Sequence, residues 1–279
     1  MSLLDTAGPS AGAGGAPAPV VSVKAVRKAF GRGEGAVFAL DRVSLDVAPG
    51  EFVALLGASG CGKSTLLSLI AGLDDPTAGT VSVQGEGAAL MPQEGGLFPW
   101  LTAGRNVELA LRLRGVPRSE RRTEAERLLS LVRLDGAYGK RPHELSGGMR
   151  QRVALARALA QKRPVLLMDE PFSALDAITR DALHGELVRV WEETGVAIVF
   201  VTHNVREAVR LGQRVVLLSS RPGRVIREWQ VDIPQPRRIE APDVSALAGE
   251  ITERLSVEIR RHATGAAPSP EEGSIDVRQ

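Results

Sequence analysis

The sequence predicts an α/β fold built on a mostly parallel sheet, and three observations carry that expectation. Near-continuous apolar runs at residues 165–168, 196–201 and 214–218 alternate with helix-patterned stretches, as strands buried on both faces do. Residues 51–56 read as a short buried strand that enters a glycine-rich loop, and a helix follows at 66–72, a strand–loop–helix unit. Residues 101–132 are polar, Arg- and Glu-rich and Leu-spaced, with no strand signal. They read as a helical insertion.

In chain order, residues 1–19 are low in complexity and are expected to be a disordered tail. Residues 20–26 alternate like a strand, a Gly-rich turn spans 31–35, and 37–47 read as further strand. Pro49 and Gly50 turn the chain into the strand before the loop. A short strand is expected at 80–83 after the turn at 76–79. This opening block reads as a small antiparallel sheet capping a ligand site. In the insertion, Leu109, Leu111 and Leu113 mark one helix. Leu128, Leu131 and Val132 end a second, which Ser119 would cap. Residues 145–152 (LSGGMRQR) open a helix with Met149, Val153, Ala156 and Ala160 on its apolar face. Leu183, Leu187, Val190 and Trp191 mark the face of another, which Gly195 ends. Residues 224–233 alternate as an edge strand; beyond Pro234 the chain is polar, and 264–279 read as a flexible tail. The folded unit is expected at 20–263, with the helical subdomain at about 94–160.

The totals exclude several classes. The 279 residues, 43% hydrophobic and 24% charged, are ordinary for a globular protein. Thirty-five basic residues nearly balance 33 acidic ones and the charges alternate, so no nucleic-acid footprint is present. The single Cys61 makes no internal disulfide, which suits a reducing cytosol, and is a plausible target for thiol reagents, although most such positions merely fill space. No apolar run approaches the ~18–20 residues that span a bilayer. The start, with Asp5 and an Ala/Gly/Pro tract, lacks signal-peptide features. Work at a membrane is therefore expected from the side, through a partner.

Gly57, Ala58, Ser59, Gly60, Cys61, Gly62, Lys63, Ser64 and Thr65 fit G-x-x-x-x-G-K-[ST], a phosphate-binding loop. The glycines let backbone N–H groups reach phosphate oxygens, and the helix start adds partial positive charge. Lys63 would reach the β- and γ-phosphates, Ser64 would sit on Mg²⁺, and Thr65 would donate to a phosphate. Residues 165–168 then deliver Asp169 to a strand's carboxyl end, where open α/β sheets bind ligands. Asp169 would hold Mg²⁺, and Glu170 could polarise a water as general base. Taken alone, this strand end could equally be an acidic helix cap.

The order of motifs resembles the ATP-binding cassette (ABC) ATPases from about residue 20 to about 233. The run LSGGMRQR looks like their signature and precedes a strand ending in Asp-Glu-Pro. Gln93 matches the Q-loop glutamine, a nucleotide and metal contact. Residues 173–176 (SALD) match the D-loop with Asp176, and His203 matches the switch histidine. Phe30 matches the aromatic that stacks on adenine, with Phe38 the nearby alternative. The resemblance implies a P-loop NTPase (RecA-like) core with an N-terminal antiparallel β subdomain and an inserted α-helical subdomain. It implies ATP and Mg²⁺ as ligands, with Lys63, Glu170 and His203 catalytic. Ser146, Gly147 and Gly148 would meet the γ-phosphate held by a second copy; a serine with two glycines is otherwise an ordinary helix start. An integral membrane permease would dock near Glu94, Phe98 and Trp100. LFPWLT followed by Asn106, then GMRQR and SSRPGR, resembles the branch serving nitrate, sulfonate and taurine importers. Those ATPases work on the cytoplasmic face of the membrane, and an extracytoplasmic solute-binding protein is an indirect partner. The alternative is a soluble ABC ATPase of repair or translation, but those usually carry a coiled-coil insertion or two cassettes. A GTPase or small-molecule kinase is disfavoured, because the chain lacks an Asn-Lys-x-Asp guanine reader and LSGG has no use there. Two departures from the family stand out: residues 84–92 are short, with Pro92 ahead of Gln93, and Asn204 replaces the usual Asp.

Overall fold

The computed structural model describes residues 17–93 and 95–263. Its strands are β1 (Val21–Phe30), β2 (Val37–Val47), β3 (Phe52–Leu56), β4 (Ala78–Val83), β5 (Ala88–Met91), β6 (Val165–Asp169), β7 (Ala197–Val201), β8 (Arg214–Leu218) and β9 (Val225–Gln230). Its helices are α1 (Lys63–Ile70), α2 (Ala103–Leu113), α3 (Arg118–Leu131), α4 (Gly147–Leu159), α5 (Ala177–Thr194), α6 (Val205–Leu211) and α7 (Pro242–Ala263). A six-stranded sheet runs β5-β6-β7-β3-β8-β9, all parallel except the antiparallel edge β9. A three-stranded antiparallel sheet, β2-β1-β4, lies beside it.

The alternation of side chains along the central strands builds the layers. In β3, Phe52 faces the cluster formed with α2–α5, while Val53 and Leu55 face α1 and the small sheet. Ala54 and Leu56 pack under α6 and α7. All five are fully buried, and burying a large apolar side chain stabilises by about 1.5–3 kcal/mol. A one-residue slip would turn each to the wrong layer, so the register is fixed. Because β3 and β6 are parallel with only β7 between them, their carboxyl ends open on the same edge of the sheet.

Four local expectations change. Ser119 does not cap α3; Pro117 is the N-cap residue and Ser119 falls inside the first turn, because proline's fixed φ already suits a helix entry. The strand expected at 20–26 continues to Phe30, crossing irregularities in its pairing with β2. Residues 84–92 contain a strand, β5, in register with β6 from Ala88↔Val165 to Met91↔Met168. The stretch beyond Pro234 holds the long helix α7, anchored by Val244, Ala248 and Ile251 at helical spacing. Of the expected N-terminal tail, residues 17–19 are described, and Gln84 Nε2 donates to the carbonyls of Ala18 at 3.2 Å and Pro19 at 2.9 Å. Residues 1–16 and 264–279 lie outside the described residues.

Candidate functional site

The loop between β3 and α1 turns sharply at Gly62, whose φ of 102° suits glycine. A Cβ there would sit 2.8 Å from Ala39 O and 2.7 Å from Leu40 Cδ2. Strand β2 thus presses directly on the loop, so the small sheet shapes the site. Helix α1 begins at Lys63 without a side-chain cap, leaving its first N–H groups for an anion. Lys63 is buried and folds back over the loop, donating to Gly57 O at 2.8 Å and Ala58 O at 3.0 Å. Cys61 is also buried, and burial pushes its thiol pKa up despite the neighbouring Lys63. It fills space beneath the loop, and the expected exposure to thiol reagents is not found.

A cleft of about 560 Å³ opens above the loop. Ser59, Gly60, Gly62, Lys63, Ser64 and Thr65 form one wall, and Asp169, Glu170 and Gln93 another. Phe30 lines its mouth and is half exposed, whereas Phe38 faces an adjoining hollow. Neither aromatic is core. Lys63 and Asp169, separated by 106 positions (169 minus 63), meet on one cleft.

Glu170 is held in three ways. Its φ of 42° is left-handed backbone, which costs a non-glycine residue about 1–2 kcal/mol. Its N–H donates to Val201 O at 3.0 Å. Its Oε2 lies 2.9 Å from His203 Nδ1. Backbone strain of this kind concentrates where a side chain must be aimed. Gln93 Nε2 donates to Ser173 Oγ at 3.1 Å, and that hydroxyl donates to Glu170 O at 3.0 Å. The strand that sequence reasoning missed, β5, is what brings Gln93 here. Pro92 follows its last residue, where no ladder N–H is needed.

The remaining expected residues lie off this cleft. Ser146 caps α4, its Oγ accepting from Met149 N at 3.2 Å. Gly148 packs on the start of α5, where a Cβ on it would sit 2.6 Å from Thr179 Cγ2, and Gly147 packs on Leu175 just ahead of that helix. Asp176 caps α5 by accepting from Thr179 N at 2.9 Å, and that backbone bond holds its carboxyl below the usual range. Within one chain, then, the signature serine and glycines do not reach the phosphate loop. Sequence reasoning also missed Gln151 and Arg157 of α4. Gln151 Nε2 donates to Gln93 O at 3.1 Å, and Arg157 donates to Gly95 O at 2.7 Å and Gly96 O at 2.6 Å. Their spacing on the helix signals no such role; only the fold shows that the signature helix grips the loop after Gln93.

Beyond that loop, Trp100 is 69% exposed, its ring 5.4 Å from that of Phe98, and Arg157 lies over Phe98 at 5.9 Å. Glu94 lies outside the described residues. Among the described residues no helix is long and apolar enough to cross a membrane.

A lysine-bearing glycine loop at a helix start, faced by an acidic strand end with a histidine-braced glutamate, defines a P-loop nucleoside triphosphatase. The ABC transporter family model matches residues 40–173. The chain is 45% identical over 224 residues to an uncharacterized ABC transporter ATP-binding protein, MJ0412, of Methanocaldococcus jannaschii, covering 78% of this chain and 84% of that one. It is 48% identical to the nitrate import ATP-binding protein NrtD of Synechocystis, over 72% of this chain and 78% of that one. It is 49% identical to the taurine import ATP-binding protein TauB of Burkholderia pseudomallei, over 71% and 79%. Among solved structures it is similar to the dimeric, post-hydrolysis ATP-binding cassette MJ0796 bound to ADP and Pi. That likeness has a TM-score of 0.66 and 36% identity, and covers 77% of this chain and 100% of that one. This chain belongs to the ABC transporter ATP-binding family. It is an ATP-binding, ATP-hydrolysing subunit whose turnover is coupled to transport.

Proposed function

We propose that the chain powers uptake of a small anionic solute, of the nitrate, sulfonate or taurine type, through a separate membrane permease. It would sit peripherally on the cytoplasmic face, with an extracytoplasmic binding protein delivering the solute. The observation that carries the catalytic reading is the single cleft shared by Lys63, Ser64, Asp169 and Glu170, with Glu170 braced by His203. The importer reading draws on the likeness to nitrate and taurine import subunits.

The residues fit Mg·ATP. The cleft offers oxygen donors from Ser64, Gln93 and Asp169, the donor type that Mg²⁺ takes. Among the described residues no cluster of three His, Cys, Asp or Glu could hold a metal, so phosphate and water would complete the shell, as is usual for this ion. Mg²⁺ would neutralise charge on the β- and γ-phosphates. The loop N–H groups and Lys63 bind and orient those phosphates; Phe30 stacks on the adenine. Glu170 takes a proton from the attacking water, and His203 keeps its carboxylate aimed. The half-site lacks a cover. In a pair of chains arranged as in the dimeric cassette, Ser146, Gly147 and Gly148 would close on the partner's γ-phosphate, with Asp176 at the seam. The exposed Trp100, with Phe98 and Glu94, would receive the permease.

Glu170→Gln tests the core of this. The variant is expected to bind ATP, accumulate as a dimer and hydrolyse barely at all. Normal turnover would remove Glu170 from the base role. Vesicles holding the permease would then be assayed for ATP-dependent uptake of nitrate, taurine and a neutral sugar; uptake of the sugar alone would sink the anion assignment.

A further inference from the structure

One residue lining the nucleotide cleft, Arg221, comes from none of the nucleotide-binding motifs; it sits on the loop of residues 219–224 between β8 and β9, whose run SSRPGR marks only the branch resemblance. Ser219 braces it from within, donating to Pro222 O at 2.8 Å and accepting from Arg224 N at 2.9 Å. The small sheet braces it from outside. Gly223 N donates to Ala39 O at 2.8 Å, and Asp41 N donates to Gly223 O at 2.9 Å. Asp41 also pairs with Arg224 at 2.5 Å and with Arg27 at 2.8 Å. Gly223 is packed so tightly that a Cβ on it would collide with the carbonyl oxygen of Cys61, inside the phosphate loop. The segment is therefore pinned to the phosphate loop and to β2 at once.

Its tip is Arg221. The side chain lines the same cleft as Lys63, Ser64 and Glu170, and also the adjoining hollow with Val37 and Phe38. One guanidinium nitrogen lies 3.9 Å from the point where a Cβ on Gly60 would be. Arg27 and Arg224 pair with Asp41, but among the described residues no hydrogen bond or ion pair engages the Arg221 guanidinium. An anchored loop thus holds an unpaired cation beside a cradle built for phosphates. A guanidinium offers planar paired donors that suit phosphate oxygens.

We propose that Arg221 is a substrate-binding residue that engages the phosphate chain of the bound nucleotide. The inference rests on the ATP reading of the cleft and adds a contact from outside the phosphate loop, the acidic strand end and the Q-loop. Glu170 and His203 hold the water side, so the Arg221 contact is expected to act on nucleotide binding rather than on the hydrolytic step. It should lower KM and leave kcat alone.

The test uses the full-length chain. Calorimetric binding of Mg·ATP and Mg·ADP is measured at several KCl concentrations for wild type, Arg221→Ala, Arg221→Lys and Lys63→Ala, with KM and kcat for the first three. Arg221→Ala should weaken ATP binding about five- to tenfold at low salt, in the range of a partly exposed charge-assisted bond. The deficit should shrink as salt rises, KM should rise with kcat unchanged, and Arg221→Lys should recover part of the affinity. Wild-type affinity in Arg221→Ala, or a deficit indifferent to salt, overturns the proposal while the cleft assignment stands. ATP affinity undiminished in Lys63→Ala would instead overturn the cleft assignment itself.

Discussion

Asn106 is wholly buried at the end of the first turn of α2 and ties down the aromatic loop before it. Its Oδ1 accepts from Phe98 N at 2.9 Å, and its Nδ2 donates to the carbonyls of Phe98 at 3.3 Å, Leu101 at 3.3 Å and Thr102 at 3.0 Å. Truncation to alanine does not cost four equal bonds. Phe98 O also accepts from Leu101 N at 3.1 Å, and Thr102 O accepts from the backbone N–H of Asn106 at 2.9 Å. Only Phe98 N–H and Leu101 O lose the partner they have here. A polar group left unsatisfied costs about 1–3 kcal/mol, and the half-open loop admits some water, so Asn106→Ala should cost about 2–3 kcal/mol in all. For a chain of this size that lowers Tm by roughly 5–10 °C. Asn106→Asp has nearly the same shape but turns a carboxylate toward three carbonyls, so the introduced group must hold a proton when folded. Its folded pKa then lies above the unfolded value. Stability is retained below the unfolded pKa and falls as pH rises through the folded one. Thermal unfolding of both variants at acid and neutral pH, with basal ATPase measured alongside, checks this. Basal turnover should survive because Asn106 is not on the nucleotide cleft. A Tm for the alanine variant within about 1 °C of wild type would refute the loop-staple reasoning.

Three further outcomes follow from the same geometry. Gly223→Ala should abolish nucleotide binding, because the new methyl group must displace the Cys61 carbonyl; normal ATP affinity by calorimetry would show that the loop gives way instead. Burial would raise the Asp41 pKa, but hydrogen bonds and charge from Arg224 and Arg27 win and hold it below the usual carboxylate range. Its contribution is therefore present at neutral pH and lost as pH falls through the depressed folded value. Asp41→Asn should be less stable than wild type at neutral pH, with the gap closing in acid; a gap that widens in acid, read from urea midpoints, contradicts this. Arg157→Ala removes the clamp on Gly95 and Gly96. It should keep basal ATPase and lose the stimulation that a reconstituted permease gives; intact stimulation would separate this clamp from coupling.

What was legible in the sequence was what depends on local order. The phosphate loop declares its chemistry within a few residues, the acidic strand end and the LSGG run gain theirs from standing in order after it, and the cleft gathers the first two. The buried strands were legible because their apolar runs exceed what a turn or surface helix tolerates. Strand β5 was not: four residues of Ala, Leu and Met beside a Gly-rich turn have no readable period. Only pairing with β6 makes them a strand. Helix α7 had a signal, the i, i+4, i+7 spacing of Val244, Ala248 and Ile251 with Pro242 at its start. The polar, proline-spotted stretch before it masked the pattern.

The residues whose roles the sequence did not show share a physical trait that explains it. Asn106, Gln151 and Arg157 act on main-chain carbonyls of the 93–102 loop, and a carbonyl leaves no mark in the partner's sequence. Helix α4 carries Ser146 at its cap, Gln151 on Gln93 O and Arg157 on Gly95 O and Gly96 O. A rigid helix of 13 residues therefore joins the signature end to the loop that leads to Trp100. Three charge-assisted or amide bonds of 2.6–3.1 Å make that joint stiff on the loop side. On the other side Gly148 leaves no room for a Cβ against Thr179, and Gly147 little against Leu175. If a second copy displaces Ser146, as proposed above, the shift is expected to be carried along α4 rather than absorbed at either end, since neither contact has slack to take it up.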